Sequence, residues 1–485
     1  MDGSKSSDSN LPLTVNDAAA MLRSGELTSV ALTTALLARA DVIDPIIGTY
    51  VTRLDDYAME RAELADHDFR RGIDRGMYQG VPIGIKDILA VAAGPTTANS
   101  LILNRSWGHE RQGPVVSRLE RAGAVITGKL TTSEFAIGYP DPGKPFAIPR
   151  NPWDVERSAG GSSAGTANGI AAGLVLAGIG TDTGGSIRLP AAWNGVTGLK
   201  PTFGRVPKSG CVPLAYTLDH VGTMARSARD CAGMLQIIAG YHPSDESSAD
   251  RPVDRYVEAL RPDLTGVTIG VDRSNHFPPN SDPNLAECFE AALAVLVSQG
   301  ATLSDLTLPL YEETTTALWI MLSAEALAYH RADLSTRWGD YHELTRINVS
   351  QGALSSAADY VQAARVRRVA QHHLGELFKS VDVIATIPTA VAARTLKEAY
   401  MVRTPSFTRA IFTGYWNAVG NPTIAVPMGF NSDGLPLSLQ LSGRPFEESS
   451  VLRVADAYQS VTDWHLRTCA PAMQHTTTVG ADDVK

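Results

Sequence analysis

Short apolar runs alternate with amphipathic stretches along most of the chain. Residues 81–85 and 383–387 are rich in valine and isoleucine, which is typical of buried strands. Residues 285–297 carry apolar side chains at helical spacing. Thr14 and Thr28 each precede such a helical stretch, where a hydroxyl can cap the first free amides. The alternation of strands with helices predicts an α/β fold in which helices cover a central sheet.

The same pattern predicts elements over most of the length. The predicted helices cover residues 15–22, 30–40, 57–71, 115–122, 164–172, 285–297 and 450–462. The predicted strands cover residues 81–85, 124–126, 175–179, 267–271, 301–306, 383–387, 423–426 and 437–442. Residues 138–158 are rich in proline and glycine and are expected to be irregular. Because no composition shift marks a boundary, we expect one large domain over residues 11–470, between a disordered tail at 1–10 and a second tail at 471–485.

Composition and charge exclude several classes of protein. The 485 residues are 44% hydrophobic with a net charge of −9, and no basic run of the kind that binds nucleic acid occurs. No apolar run approaches the ~20 residues of a membrane span. The polar start lacks the apolar segment of a signal peptide, which favours a cytoplasmic protein. The four cysteines lack metal-site spacing, so we expect reduced thiols and neither a metal nor an organic cofactor.

Two glycine pairs, each ending at a serine, are the most informative local feature. They read Gly-Gly-Ser at residues 160–162 and Gly-Gly-Ser-Ile-Arg at residues 184–188. Glycine pairs permit tight turns and let backbone amides face a ligand without an intervening Cβ. A serine placed after such a turn can act as a nucleophile, with the neighbouring amides binding the oxyanion.

The motifs of this chain, in their order, resemble the amidase signature family. The run Gly-Val-Pro-Ile-Gly-Ile-Lys-Asp at residues 80–87 precedes the two serine turns, and Gly-Asn-Pro follows them at residues 420–422. The resemblance covers residues 80–87, 128–129, 134–136, 150–154, 160–206, 218–222, 420–422 and 434–436. It implies a single large α/β domain with a mixed, twisted central sheet flanked by helices.

The resemblance also implies a catalytic set. Ser186 would be the nucleophile, Ser162 a bridging serine that follows a cis peptide bond, and Lys86 the base. This chemistry needs a neutral amine, although lysine ordinarily titrates near ~10.4. Burial disfavours the ammonium form and can lower a lysine pKa by ~3–5 units, and Lys86 ends an apolar strand. The backbone amides implied for the oxyanion hole are those of Thr183, Gly184, Gly185 and Ser186.

We therefore expect acyl transfer from an amide nitrogen to water through an acyl-enzyme, with a small-molecule amide as substrate. Carbamates are a further expectation, since the chain resembles urethanases and aryl-acylamidase-like members of the family; a homodimer is expected from family habit alone. Asp182, Arg188 and Lys200 are expected to brace the glycine turns. The substrate is expected to contact Ala136, Ile137, Gly138, Tyr139 and Arg205. Trp319, Tyr415 and Trp416 are, with Tyr139, candidates for the lining of an apolar pocket, and a place in the core is the alternative for each.

Alternatives remain open at this point. A protein similar to the glutamyl-tRNA amidotransferase subunits would use the same motifs. Residues 161–165 fit G-x-S-x-G, which allows an esterase of the α/β-hydrolase type with Ser163 as nucleophile and His330, His372 or His465 as base. Residues 123–129 partly match a phosphate-binding loop. A binding module without activity would be expected to have lost Ser186 or Lys86, and both are present.

Overall fold

One large mixed sheet organises the protein. The computed structural model describes residues 11–108, 112–401 and 410–469, so both predicted tails lie outside the described residues. The strands are β1 (Tyr50–Arg53), β2 (Pro82–Lys86), β3 (Val125–Leu130), β4 (Arg150–Asn151), β5 (Asp154–Ser158), β6 (Ala177–Asp182), β7 (Thr197–Lys200), β8 (His220–Ala225), β9 (Thr268–Val271), β10 (Thr302–Asp305), β11 (Val383–Thr386), β12 (Thr423–Phe430) and β13 (Pro436–Gly443).

Helices flank this sheet. The α-helices are α1 (Val15–Ser24), α2 (Ser29–Ile47), α3 (Asp55–Arg70), α4 (Pro114–Arg121), α5 (Ala164–Ala171), α6 (Arg188–Asn194), α7 (Ala228–Ile238), α8 (Leu285–Ser298), α9 (Tyr311–Thr336), α10 (Glu343–Ser350), α11 (Ala357–Leu377), α12 (Leu396–Met401), α13 (Gly414–Val419) and α14 (Glu448–Gln459). Short 3-10 turns cover Glu134–Ala136, Trp338–Asp340, Gln351–Leu354 and Trp464–Leu466. Among the residues that the structure describes, no helix is both long enough and apolar enough to cross a membrane.

The sheet has 11 strands in the order β1-β3-β2-β6-β8-β7-β12-β13-β11-β9-β10. Strands β3, β2 and β6 run parallel to one another, as do β11, β9 and β10. The remaining pairs are antiparallel, and β4 pairs with β5 in a separate hairpin. The expected α/β fold with a mixed central sheet is confirmed. Because β2 and β6 are parallel neighbours, their carboxyl ends lie at the same edge of the sheet.

Local signals placed most elements correctly. The Thr14 hydroxyl accepts a hydrogen bond from the Asp17 amide at 3.0 Å, and the Thr28 hydroxyl accepts one from the Ala31 amide at 3.1 Å. Both predicted caps are therefore confirmed. Helix α2 continues beyond its predicted end, through Pro45, until a left-handed residue at Gly48 ends it.

Two predictions of local structure were wrong or incomplete. Residues 138–158 were expected to be irregular, but they contain the β4–β5 hairpin, in which Asn151 pairs with Asp154 around a Pro-Trp turn. Strands β1, β7 and β8 and helices α6, α7 and α9 to α13 were not predicted. Helix α9 buries Leu318 and Leu322 while Trp319 remains 43% exposed, so apolar residues are not confined to one face and the helical pattern is blurred.

Candidate active site

Lys86 ends strand β2 and lies entirely inside the protein. Its side chain is 0% exposed, as are the neighbouring Ile83 and Ile85 of the same strand. The Lys86 Nζ donates hydrogen bonds to Ser162 Oγ at 2.7 Å and to Thr181 Oγ1 at 2.8 Å. Thr181 belongs to β6, the strand beside β2. The sheet thus brings Thr181 to the lysine, and the second contact, Ser162, is one of the two predicted serines.

The electrostatic environment makes this lysine a candidate base. Burial lowers the pKa of Lys86 from 10.5 to about 7, and nearby Cys211, Asp182 and Asp219 only partly oppose that effect. A large fraction of the amine is therefore neutral at physiological pH. A neutral amine can accept a proton from a neighbouring hydroxyl, which an ammonium cannot.

The turn that carries Ser162 lies between strand β5 and helix α5. The peptide bond between Gly161 and Ser162 is cis, as the resemblance implies. The Ser162 carbonyl accepts a hydrogen bond from the Ser133 amide at 3.3 Å, and the Ser162 side chain is buried. These contacts place the Ser162 hydroxyl against Lys86.

A buried ion pair supports the turn that carries Ser186. Asp182, at the end of β6, accepts hydrogen bonds from the Gly185 amide at 2.7 Å and the Ile187 amide at 3.2 Å. The Arg188 guanidinium binds the same carboxylate at 3.0 Å, and both side chains are 0% exposed. Burial alone would raise the pKa of Asp182, but the Arg188 charge outweighs it and holds that pKa below its ordinary value. The expected bracing role of these two residues is confirmed.

The Ser186 hydroxyl is not hydrogen-bonded to Ser162 or Lys86. Ser186 is half-buried, and its Oγ makes no hydrogen bond to any residue that the structure describes. The two serine turns are joined through the backbone, because the Ser163 amide donates to the Ser186 carbonyl at 3.0 Å. The Lys86–Ser162 link of the expected proton path is therefore formed, whereas a Ser162–Ser186 hydroxyl bond is not. Catalytic hydrogen bonds are often completed only when substrate binds.

The expected oxyanion hole requires one correction. The Gly185 amide is already bound to the Asp182 carboxylate at 2.7 Å, so it is not a free donor. The amides of Thr183, Gly184 and Ser186 have no acceptor among the described residues. Those amides remain available to an oxyanion at the Ser186 turn.

Two different surfaces border the Ser186 turn. A cavity of about 340 Å³ is lined at this point by Ala136, Thr181 and Thr183, and further out by Cys211, Asp219 and other residues of the loop that follows β7. On another side, a Cβ built on Gly184 would lie 3.9–4.0 Å from side-chain atoms of Leu318, Trp319 and Leu322 of helix α9. The turn therefore lies beside both a mixed polar cavity and an apolar helix face.

The comparisons with known proteins agree with this geometry. Residues 31–452 match the protein family described as Amidase. The chain belongs to the amidase signature family. One subunit of the glutamyl-tRNA(Gln) amidotransferase from Chloroflexus aggregans is 39% identical over 478 residues, which cover 94% of this chain and 97% of that protein.

Solved structures support the same assignment. One, described as a vestigial protein complex that reveals the evolutionary origins of an s-triazine catabolic enzyme, matches with a TM-score of 0.86 at 30% identity, over 92% of this chain and 98% of that one. The native peptide amidase from Stenotrophomonas maltophilia matches with a TM-score of 0.80 at 28% identity, over 93% of this chain and 98% of that one. This amidase-signature protein is an amidohydrolase, an enzyme that acts on C–N bonds.

The residues expected to contact the amide substrate are divided by the structure. Ala136 lines the cavity. Ile137 instead packs on helix α10, where its carbonyl accepts a hydrogen bond from Thr345 Oγ1 at 3.2 Å, and a Cβ on Gly138 would approach the Thr345 amide to 3.0 Å. Tyr139 is half-buried beside them.

Arg205 has a different environment from the expected one. It is 3% exposed, donates to the Pro252 carbonyl at 2.8 Å and pairs with Glu448 at 3.3 Å. Its guanidinium also lies over the Phe446 ring at 4.8 Å. Because the Arg205 guanidinium is already bound by these protein groups, Arg205 does not contribute to the substrate pocket. Lys200 likewise does not brace the glycine turns, since its Nζ donates to the carbonyls of Pro201 and Asn421.

The Ser163 alternative does not fit this amidase-family site. Ser163 is 0% exposed, and its Oγ donates to the Thr181 carbonyl at 3.1 Å and accepts from the Thr181 amide at 3.2 Å. His330, one of the proposed bases, instead contacts Tyr341 at 3.0 Å. The phosphate-loop alternative is also wrong, because most of that segment is strand β3 and its lysine, Lys129, pairs with Asp87 at 2.9 Å.

Several residues of the site were missed. Thr181 binds Lys86, while Thr413 and Asn417 bind the Ser186 turn from helix α13 and its first cap position. Leu318 and Leu322 of α9 were also missed; they form the apolar wall together with Trp319, which the sequence had offered as a candidate for an apolar pocket. Thr181 could have been suspected from its position between the two motifs. The others come from distant parts of the amidase chain and carried no local signal.

Proposed function

We propose that this enzyme hydrolyses small amides through a covalent acyl-enzyme, with Ser186 as nucleophile, Ser162 as proton relay and Lys86 as base. The observation that carries the proposal is the contact between a fully buried lysine and a serine hydroxyl, 2.7 Å from Lys86 Nζ to Ser162 Oγ. Among the described residues, Lys86 Nζ has hydroxyl partners and no paired carboxylate. A buried lysine of this kind costs stability, and a proton-transfer role accounts for its presence.

The proposed reaction moves one proton along this path. Ser186 Oγ attacks the carbonyl carbon while its proton passes to Ser162 Oγ, and the proton of Ser162 passes to Lys86 Nζ. The free amides at Thr183, Gly184 and Ser186 stabilise the oxyanion. The C–N bond then breaks, and the leaving nitrogen takes a proton back through Ser162. Water repeats the cycle on the ester, which releases the acid and the free serine.

The apolar wall supports a substrate with an apolar part. Leu318, Trp319 and Leu322 lie closest to Gly184, the glycine two positions before the nucleophile. An aryl or alkyl group bound there would remove apolar surface from water, which contributes ~25 cal/mol per Å² buried. An aryl carbamate offers the same carbonyl next to such a group, so carbamates belong to the proposed substrate range. Tyr415 and Trp416 are 0% exposed and do not contribute to this wall.

A second candidate function is that of an amidotransferase component. The relative from Chloroflexus aggregans with that name is 39% identical over 94% of this chain. An amidotransferase takes its nitrogen from an amide donor, and free glutamine is a simple donor of this kind. Glutamine is polar and zwitterionic, so the apolar wall at Gly184 favours the small-amide proposal over this one.

Labelling of the active serine tests the catalytic assignment. A fluorophosphonate should modify Ser186, identified by peptide mass mapping, and the modification should disappear in Ser186→Ala. It should slow strongly in Lys86→Ala, because the proton acceptor is gone. Ser163→Ala is the matched control: the hydroxyl that it removes bonds to the Thr181 backbone and the Ser163 amide is kept, so labelling of Ser186 should persist. Modification of Ser163 instead, or an unchanged rate in Lys86→Ala, would reject the assignment.

A substrate panel separates the two candidate functions. We expect the purified chain to hydrolyse anilides and aryl carbamates faster than L-glutamine at equal concentration. Trp319→Ala should raise KM for anilides more than for acetamide, since acetamide is too small to cover the apolar wall. Glutamine hydrolysis without anilide hydrolysis would favour the amidotransferase function.

A further inference from the structure

Helix α13 approaches the nucleophile turn from a part of the chain far from it in sequence. Thr413, at the cap position of this helix, is 0% exposed, and its Oγ1 donates a hydrogen bond to the Gly184 carbonyl at 2.6 Å. One turn further along the helix, the Asn417 amide group donates to the Asp182 carboxylate at 2.8 Å and to the Asp182 carbonyl at 3.1 Å. The helix therefore holds the turn at two points.

The Thr413 contact acts on one particular peptide unit. The carbonyl of Gly184 and the amide of Gly185 belong to the same planar group and point in opposite directions. Thr413 binds the carbonyl end at 2.6 Å, and Asp182 binds the amide end at 2.7 Å. With both ends held, this peptide unit cannot rotate. It therefore also sets the directions of the two flanking amides, those of Gly184 and Ser186.

The fit between the helix and the turn is close. Gly185 has a φ of +130°, a conformation that residues with a side chain rarely adopt, and a Cβ there would clash with the Thr413 side chain. The methyl and hydroxyl groups of Thr413 therefore occupy the space that a side chain at 185 would need. Thr413 therefore packs directly against the Gly184–Gly185 peptide.

We propose that Thr413 is a positioning residue for the oxyanion hole, which it orients by fixing the Gly184–Gly185 peptide. This inference rests on the proposed function, because it assumes that a tetrahedral oxyanion forms at Ser186. Preorganised donors stabilise a transition state only when they already point at the developing charge. Thr413 does not touch the substrate in this scheme and acts through the backbone.

The test compares an inhibitor that forms an oxyanion with one that cannot. An aryl trifluoromethyl ketone adds to the serine hydroxyl and gives a hemiketal oxyanion, whereas the corresponding trifluoromethyl alcohol has no carbonyl to attack. Thr413→Val keeps the shape but removes the donor. We expect kcat for an anilide to fall about 10-fold with KM within about 2-fold, less than the ~100–1,000-fold cost of deleting a donor outright.

The inhibition constant for the ketone should rise about 10-fold in Thr413→Val, while that for the alcohol stays unchanged. Thr413→Ser should restore both kcat and ketone binding, since it keeps the hydroxyl. Thr223→Val is the matched control, because Thr223 is also buried and donates to a carbonyl, that of Cys231 at 3.3 Å. If Thr413→Val does not fold, Thr413→Ala removes the same donor with less steric demand.

Equal weakening of the ketone and the alcohol, or of neither, would overturn the inference, since a merely structural threonine would not distinguish them. The proposed function fails separately. If fluorophosphonate does not modify Ser186 in the unaltered enzyme, the catalytic assignment is wrong whatever Thr413 does. If Ser186 is modified and the two inhibitors are affected alike, only the role of Thr413 is rejected.

Discussion

The pH dependence of hydrolysis tests the lysine directly. With an ordinary pKa of 10.5, only about one lysine in ~3,000 is neutral at pH 7. Burial lowers the pKa of Lys86 to about 7, so about half of the molecules carry the neutral amine at that pH. The difference corresponds to roughly 5 kcal/mol between the two protonation states. The proposed mechanism uses the neutral form, so kcat/KM should rise as the pH increases through 7.

The pKa of Lys86 fixes how much kcat/KM should change between pH 6 and pH 8. If only neutral Lys86 is active, kcat/KM at pH 6 should be about one-tenth of its alkaline plateau, and at pH 8 about nine-tenths. Initial rates of anilide hydrolysis between pH 5.5 and 9, in buffers of constant ionic strength, measure this directly. Lys86→Ala should lose about 100–10,000-fold at pH 8 and should lack the rising limb, because the titrating base is absent.

Two other groups could produce a similar rise of kcat/KM with pH, and their effects must be distinguished from that of Lys86. Burial raises the pKa of Glu134 to about 7, and burial lowers the pKa of Lys208, which lines the cavity. Glu134→Gln and Lys208→Met should both retain the rising limb if Lys86 is its source. The reasoning is refuted if the limb disappears in Glu134→Gln, if it survives in Lys86→Ala, or if the unaltered enzyme is most active in acid.

Two predictions concern stability. Because the folded protein raises the pKa of Glu134 from 4.5 to about 7, the folded state favours the protonated acid, and that contribution is present at low pH and lost as the pH rises through 7. Urea unfolding measures the free energy of unfolding of Glu134→Gln and of the unaltered protein at each pH. The difference in favour of the variant should grow by up to about 3 kcal/mol between pH 4 and pH 8. A difference that does not change with pH would contradict this. Arg188→Met leaves the buried Asp182 charge unpaired and should cost ~3–5 kcal/mol. Arg273→Met is the control, because it breaks an exposed pair with Glu290 and should cost less than ~1 kcal/mol of unfolding free energy. Equal losses in Arg188→Met and Arg273→Met would count against the buried pair as the support of the turn.

Local patterns were sufficient for much of the fold. The threonine caps, the apolar strand before Lys86 and the helix after Ser163 depend on neighbouring residues, and all were predicted close to their observed positions. Strand β6 was placed two residues too early, because its last residues toward Asp182 are rich in glycine and threonine instead of aliphatic residues. Helix α9 was missed because its apolar residues serve both the core and the exposed wall near Gly184.

The proposed catalytic residues could be named in advance because each is part of a contiguous motif by which the chain resembles the amidase signature family. A glycine pair before a serine and a lysine at the end of an apolar strand are visible in one dimension. Their mutual contact is not visible there: the 2.7 Å between Lys86 Nζ and Ser162 Oγ joins the end of strand β2 to the turn before helix α5, 76 residues further along the chain.

The amino-acid order alone established the family likeness, the α/β class and the identity of three candidate catalytic side chains. Folding in three dimensions settled which amides of the turn are free, since Asp182 binds the Gly185 amide, and it removed Arg205 from the pocket by pairing it with Glu448. It also brought Thr413 and Trp319 to the nucleophile turn. Hydrogen bonds and apolar contacts between residues hundreds of positions apart depend on how helices pack on the sheet, and no local pattern of side chains encodes that packing.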